Sequence, residues 1–306
     1  MTHYLAAVCT ALTGPDAIEI RDMKTAALQP GEVRVAIQAA GLNFPDLLMT
    51  RGEYQFRPEA PFVPGMEFAG EVIETAKDVT DFKPGDRVMG GNRGGCFAQQ
   101  IVVPAGALSP LPNALSFEEG CCWHTAAITV WHALNDKAAM QAGESILVLG
   151  ASGGVGMAAV KLAKHKGGFV IGTASNPAKR AAVIAAGADH ALDPADPELA
   201  NQVKALTGGN GCNIVFDPVG GDLAITATRS IAVAGRYLIV GFASGKIPSF
   251  PANHALIKEY SLIGLRAGES GRRDPVLAER NKSVMQDLAE QGIMRPYISH
   301  HCHWIR

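Results

Sequence analysis

An apolar run at 146–149 passes without a break into the turn GASGGVG (150–156), and the turn passes into a helix-period segment. A strand with no polar face is one covered on both sides, and a parallel neighbour is reached only through a long crossover. The same unit recurs along the second part of the chain. Apolar strands are expected at 146–149, 169–172, near 190, at 214–216, 237–240 and 261–265. Helical segments at 155–166, 177–186, 197–206 and 222–233 separate them. Six such strands with helical crossovers predict a doubly wound α/β sheet of the Rossmann type.

Residues 1 to about 118 have another texture. The stretches EVRVAIQAAGL, FAGEVIET, FKPGDRVMG and FAQQIVVP are short strand patterns broken by Pro-Gly turns, with no long helical pattern among them. This part is expected to be a β-rich domain. The apolar YLAAVCTAL at 4–12 has the greasiness of a secretory h-region, but no Lys or Arg precedes it and no cleavage site follows, so it reads as a first strand.

At 18% charged residues and a formal charge of −2, the chain carries no charge block suited to nucleic acid or an anionic membrane. No apolar run approaches the ~18 residues of a membrane span. The six cysteines, at 9, 96, 121, 122, 212 and 302, include no CxxC, and the adjacent pair suits no ordinary disulfide. That usage is expected of a reducing, cytoplasmic compartment.

The glycine turn carries the chemistry. Small residues between a strand and a helix let backbone N–H groups approach a pyrophosphate at the helix N-terminus. Here the pattern is A-x-G-x-x-G: Ala151, Ser152, Gly153, Gly154, Val155 and Gly156. An NAD site places an acid about 20 residues beyond the first glycines to hold the ribose 2′-hydroxyl. The corresponding stretch, GTASNPAKR, has no acid but offers Thr173, Ser175, Lys179 and Arg180. Hydroxyls and cations suit a 2′-phosphate, so NADPH is the expected cofactor; Lys179 and Arg180 also fit a solvated first helical turn.

The segments QPGEVRVAIQAAGLNFPDLLMTRGEY, PFVPGMEFAGEV, FKPGDRV, ESILVLGASGGVG, AGADHALD, VKALTGGNGCNIVFDPVGGD and GRYLIVGFASGKIP run through most of the chain. In this order and spacing the sequence resembles the zinc-independent NADPH:quinone oxidoreductases of the medium-chain dehydrogenase/reductase superfamily. The resemblance implies a GroES-like, barrel-type catalytic domain, a Rossmann domain, and NADPH in the cleft between them. It also implies a homodimer joined through the edge strand near 261–265. Domain bounds of 1–118, 119–257 and a returning 258–306 follow from it.

Zinc members of the superfamily carry a Cys where this chain has Asn43, and a His where it has Met66. Neither is a good Zn²⁺ ligand. Between Val88 and Ala98 only Cys96 stands where those members carry a four-cysteine lobe. No metal is expected, and Glu67 reads as a structural carboxylate. Reduction without a Lewis acid means hydride donation to a quinone or similar electron-poor C=C, and the developing oxyanion needs a donor or a proton. The resemblance places Asn43, Asp46 and Tyr54 near the nicotinamide. Asn43 would donate, Tyr54 is either a proton source or a packing aromatic, and Asp46 is either catalytic or a loop brace. On the cofactor side it implies Thr129, Val219 and Gly241, Phe242, Ala243 and Ser244. His124 and His132 read as structural.

Two other readings remain. A 2-enoyl reductase would recruit Arg266, Arg272 and Arg273 as anion contacts, unless they are a solvated patch. A protein binding NADPH without turnover is the other. At the tail, HHCHWIR, four consecutive ligands do not face one tetrahedral ion. Family members continue beyond this point through a helix and a Gly-Lys-Val-type strand. The end therefore reads as truncated, frame-shifted or divergent, with apolar surface of the first domain expected to lie open or to be capped by a partner subunit.

Overall fold

The computed structural model describes residues 3–303, so Trp304, Ile305 and Arg306 of the tail lie outside the described residues. The chain divides into two compact units. One is built from the described residues up to Thr125 together with those from Ile298 onward; the other is Ala126–Tyr297.

The first unit opens on β1 (His3–Cys9), where 4–12 was read as a strand, paired antiparallel with β2 (Ile18–Lys24). Then follow β3 (Glu32–Gly41), the short helix α1 (Phe44–Thr50), β4 (Glu67–Thr75), β5 (Arg87–Gly91), β6 (Gln100–Pro104), β7 (Leu108–Pro110) and α2 (Phe117–Cys121). The sheet runs β6-β3-β4-β5-β7, antiparallel throughout. Val33, Val35, Phe68, Val72, Val88, Ile101, Val103 and Leu108 fill one core. Each such side chain taken from water contributes roughly 1.5–3 kcal/mol. Ser116 starts α2 with a capping box, its hydroxyl accepting from Glu119 N while Glu119 accepts from Ser116 N.

The unit boundary falls inside α3 (His124–Trp131). Beyond it come β8 (Ser145–Val148), α4 (Gly154–His165), β9 (Phe169–Thr173), α5 (Pro177–Ala185), β10 (His190–Leu192) and α6 (Leu199–Leu206). The chain continues through β11 (Cys212–Asp217), α7 (Gly221–Thr228), β12 (Ile231–Ile239), α8 (Ala252–Lys258), β13 (Ser261–Gly264), α9 (Ala267–Arg273) and α10 (Pro275–Glu290). The strand order is β10-β9-β8-β11-β12-β13 with every pair parallel, the doubly wound Rossmann order. All of β8 is buried, as its unbroken apolar run requires. Leu147, Ile171, Val215 and Tyr237 of the strands pack with Leu199, Val203, Ala224 and Ala227 of the helices.

Three boundaries differ from the sequence reading. The helix expected over 222–233 stops at Thr228, and β12 is already extended at Ile231. Buried Ser230 ends the helix: its amide and hydroxyl both donate to Ala227 O. The expected return to the first domain at 258 comes instead at Ile298. β13 is the last strand of the parallel sheet, and Asn281 of α10 is tied to Trp131 and Asp136, so 258–297 stays with the second unit. The junction expected at 118/119 lies at Thr125, because Glu67 of β4 accepts the Thr125 amide.

Candidate functional site

The glycine turn leaves β8 where Leu149 N donates to Phe216 O of β11, the point at which crossovers from the central strand diverge. The left-handed backbone falls at Gly150, with φ +58°, one residue ahead of the fingerprint. Ala151 needs no such freedom, and its buried methyl lies against Gly172, whose own Cβ would meet it at 2.8 Å. With Val183 Cγ1 at 2.6 Å, that contact leaves room only for glycine at 172 opposite Ala151. At Gly156 a Cβ would stand 2.4 Å from Gly150 O, so helix and turn touch backbone to backbone. Gly154 has nothing within 4 Å of a Cβ and Gly153, the N-cap of α4, makes no side-chain capping bond. The first-turn N–H groups of α4 are therefore left without a side-chain cap beside an exposed Gly154, the kind of helix start that receives a pyrophosphate.

The neighbouring strand ends are pinned to this turn's surroundings. Buried Asp217 accepts from Val219 N and Gly220 N, both at 2.8 Å, and from the Tyr237 hydroxyl at 2.7 Å. Burial pushes its carboxyl above the usual range, and these bonds pull it back. Val219 lies over Gly150, its Cγ2 2.9 Å from a Cβ there. The GFAS stretch is held to it by Gly241 N to Asp217 O, Ala243 N to Pro218 O and Ser244 N to Val219 O at 3.3, 3.0 and 2.9 Å. The structure thus brings together the glycine turn, Val219 and Gly241, Phe242, Ala243 and Ser244. The Asp217–Tyr237 brace was missed in the sequence; its one signal is the Asp-Pro that stops β11.

The four residues after β9 separate into two pairs. Thr173 is fully buried, its hydroxyl accepting from Gly150 N at 3.1 Å and its carbonyl from Ala151 N, so it braces the turn. Arg180 donates from Nη1 to Ala174 O and Asp193 Oδ2, both at 3.0 Å. Ser175 and Lys179 are exposed, and the Lys179 ammonium has no partner among the described residues. Asn176 caps α5 by accepting from Lys179 N. Thr129 is half-buried in α3.

In the first unit, Asn43 and Asp46 meet at the N-terminus of α1. Asp46 Oδ2 accepts from Asn43 N at 2.8 Å, the carboxylate half of a capping box. The Asn43 amide turns to β4 and donates to Glu67 Oε1 at 2.7 Å, while Glu67 Oε2 accepts from Thr125 N at 2.8 Å. Glu67 thus joins β4, the start of α1 and the start of α3. Burial raises Asp46 to about 6 against the amides of Asn43 and Gly65, and raises Glu67 to about 7 against Thr125 and Asn43. The nearby Asp46 charge adds to the rise at Glu67. Asn43 and Met66 are half-buried; Leu42 and Phe44 beside Asn43 are 79% and 41% exposed. Tyr54 is half-buried in the loop after α1, and its hydroxyl has no partner among the described residues.

His132 is buried with Nδ1 3.0 Å from Asp136 Oδ2, a structural pair, and His124 packs on Gly91. Arg272 and Arg273 both pair with Glu269, which removes much of their pull on a distant anion; Arg266 is exposed. No group of three or more His, Cys, Asp and Glu side chains among the described residues is disposed to hold a metal. No helix among the described residues is long and apolar enough to cross a membrane.

The family model for zinc-binding dehydrogenases matches residues 154–281, and that for the alcohol dehydrogenase GroES-like domain matches residues 29–113. A quinone oxidoreductase-like protein 2 homolog of Nematostella vectensis is 38% identical over 298 residues, spanning 97% of this chain and 81% of its own. The quinone oxidoreductase of Pseudomonas syringae pv. Tomato DC3000 has a TM-score of 0.87 at 30% identity, covering 97% of this chain and 91% of that one. The quinone oxidoreductase of Thermus thermophilus, solved also in complex with NADPH, has a TM-score of 0.81 at 31% identity, covering 94% and 89%. These matches define the class, an oxidoreductase of the medium-chain dehydrogenase/reductase superfamily. Within it, the chain belongs to the quinone oxidoreductase-like family.

Proposed function

We propose that this enzyme reduces quinones or similar activated alkenes with NADPH and without a metal. The observation that carries the reading is the pairing of an open glycine turn with an uncommitted cation. The first-turn N–H groups of α4 take no side-chain cap and Gly154 is exposed with open space beside it, while Lys179 stands exposed and without a partner among the described residues, past a strand end that carries no acid. Pyrophosphate would take the amides, and Lys179 with Ser175 would take the 2′-phosphate. Val219 and the GFAS backbone, held by Asp217, would border the ribose and nicotinamide, with Thr129 beside them. When bound, reduced nicotinamide supplies a hydride. Support for the cofactor also comes from the NADPH complex of the Thermus relative.

On the acceptor side, the Asn43 amide has a second N–H beyond the one given to Glu67, available to a developing oxyanion. The Tyr54 hydroxyl is the proposed proton source. Asp46, buried and turned onto the Asn43 backbone, acts as a brace. The exposed side chains of Leu42 and Phe44 suit an apolar ring better than an ionic group. Asn43 and Met66, where zinc members place ligands, argue for metal independence.

We place the protein in the cytoplasm, as a homodimer that takes a small-molecule substrate. The unpaired cysteines support the first, and the edge position of β13, with Leu262 41% exposed, supports the second. An assay of NADPH oxidation with a quinone, an enal and an enoyl thioester in parallel tests the reading. The quinone should be turned over fastest; preference for the thioester would favour an enoyl reductase, and no turnover a binding protein.

A further inference from the structure

Cys121 and Cys122 close α2 with their Sγ atoms 3.8 Å apart. Cys121 is buried and its thiol donates to Glu118 O at 3.3 Å, while Cys122 is half-buried. No other two sulfurs lie within hydrogen-bonding distance among the described residues; Cys9, Cys96 and Cys212 are buried singly and Cys302 is exposed alone. We infer that Cys121 and Cys122 form a two-thiol capture site for trivalent arsenicals and antimonials, ligands that require two sulfurs at once.

The geometry separates this ligand class from simple oxidation. A disulfide draws sulfurs to about 2.05 Å and usually spans Cα atoms about 4.4–6.8 Å apart. Adjacent residues across a trans peptide hold their Cα atoms at about 3.8 Å, so closing the pair on itself is strained. A larger atom seated between the sulfurs bridges them without drawing them into contact. The thiols also divide the labour. Contact with Cys121 lowers the Cys122 thiol below its ordinary range, while that same contact and burial raise Cys121. Cys122 is thus the attacking sulfur and Cys121 the second, slower one.

With an arsenoso group the reaction balances without an oxidant. Two As–S bonds form, the As=O bond breaks, both thiol protons leave with its oxygen as one water, and arsenic stays trivalent. The site adjoins the acceptor-side residues. A Cβ on Gly41, two residues before Asn43, would lie 2.4 Å from Cys121 O, and the charge of Glu67 reaches both thiols.

The test treats the reduced full chain with one equivalent of phenylarsine oxide and follows intact mass. One adduct per chain should form, survive excess 2-mercaptoethanol and be removed by 2,3-dimercaptopropanol. Cys122→Ser, which changes a half-buried residue, and Cys121→Ser should each lose the monothiol-resistant adduct, whereas Cys302→Ser should keep it. An adduct stripped from the wild type by monothiol, or one that resists monothiol in Cys122→Ser, would overturn the assignment.

Discussion

Replacing Glu67 by Gln should change how stability depends on pH, in a direction fixed by burial. The Glu67 carboxyl titrates at about 4.5 when unfolded and at about 7 in the fold, because desolvation outweighs the bonds from Thr125 and Asn43. The folded state therefore binds its proton more tightly. Stability contributed by this group is complete below the unfolded value, is lost as pH rises through the window from about 4.5 to about 7, and levels off above it. At 1.36 kcal/mol per unit, the full shift corresponds to about 3 kcal/mol, an order-of-magnitude figure. Asp46, raised from 3.8 to about 6, adds a loss of the same sign over a lower window, and its charge is felt at Glu67. Glutamine accepts only one of the two bonds, so the variant starts lower, by roughly 1–3 kcal/mol for the orphaned donor. Urea unfolding of both proteins at about pH 4.5 and about pH 8 reads Glu67 together with its coupling to Asp46, since titrations that do not feel Glu67 cancel in the difference. The gap should move by about 3 kcal/mol in favour of the variant at the higher pH. Parallel pH dependences would refute the claim that Glu67 is the buried titrating carboxylate.

Lys179→Ala should weaken NADPH binding roughly 10–100-fold and leave NADH unchanged, as expected for one lost charge-assisted phosphate contact. Arg180→Ala, whose guanidinium is already held by Asp193, should leave the cofactor preference unaltered in fluorescence titrations. Exhaustive chelation should not change NADPH oxidation; stoichiometric zinc with activity lost on its removal would refute metal independence. Sedimentation should show a dimer at micromolar concentration, and Leu262→Lys on the exposed edge of β13 should shift it toward monomer.

The parallel sheet was legible because its signal is local: a strand such as 145–148 shows its burial on both faces by having no polar alternation. The glycine turn was legible for the same reason. What sequence could not supply were pairings across distance. Thr173 reads in sequence as a ligand contact, and only the fold shows its hydroxyl accepting from Gly150 N; Arg180 reads as a phosphate contact or a solvated cation, and only the fold sets Asp193, just past β10, beside it. The start of β12 was hidden in an alanine-rich stretch whose helix is ended by a buried serine. Glu67 was read as structural from its type, but its reach to Thr125, 58 residues away, has no trace in local pattern.

The shift of the left-handed residue from the fingerprint to Gly150 separates two demands that one glycine often meets. Backbone handedness is satisfied before the motif begins, and position 151 is left with a demand of size alone, set by Gly172 opposite. Under mutation, then, 150 and 172 should drift less than 151, because a side chain at 172 would meet both Val183 and the Ala151 methyl. The size allowed at the first fingerprint residue is thereby a joint property of the turn and of β9. Motif searches that insist on its glycine would pass over chains built this way, although their turns offer a phosphate the same amides.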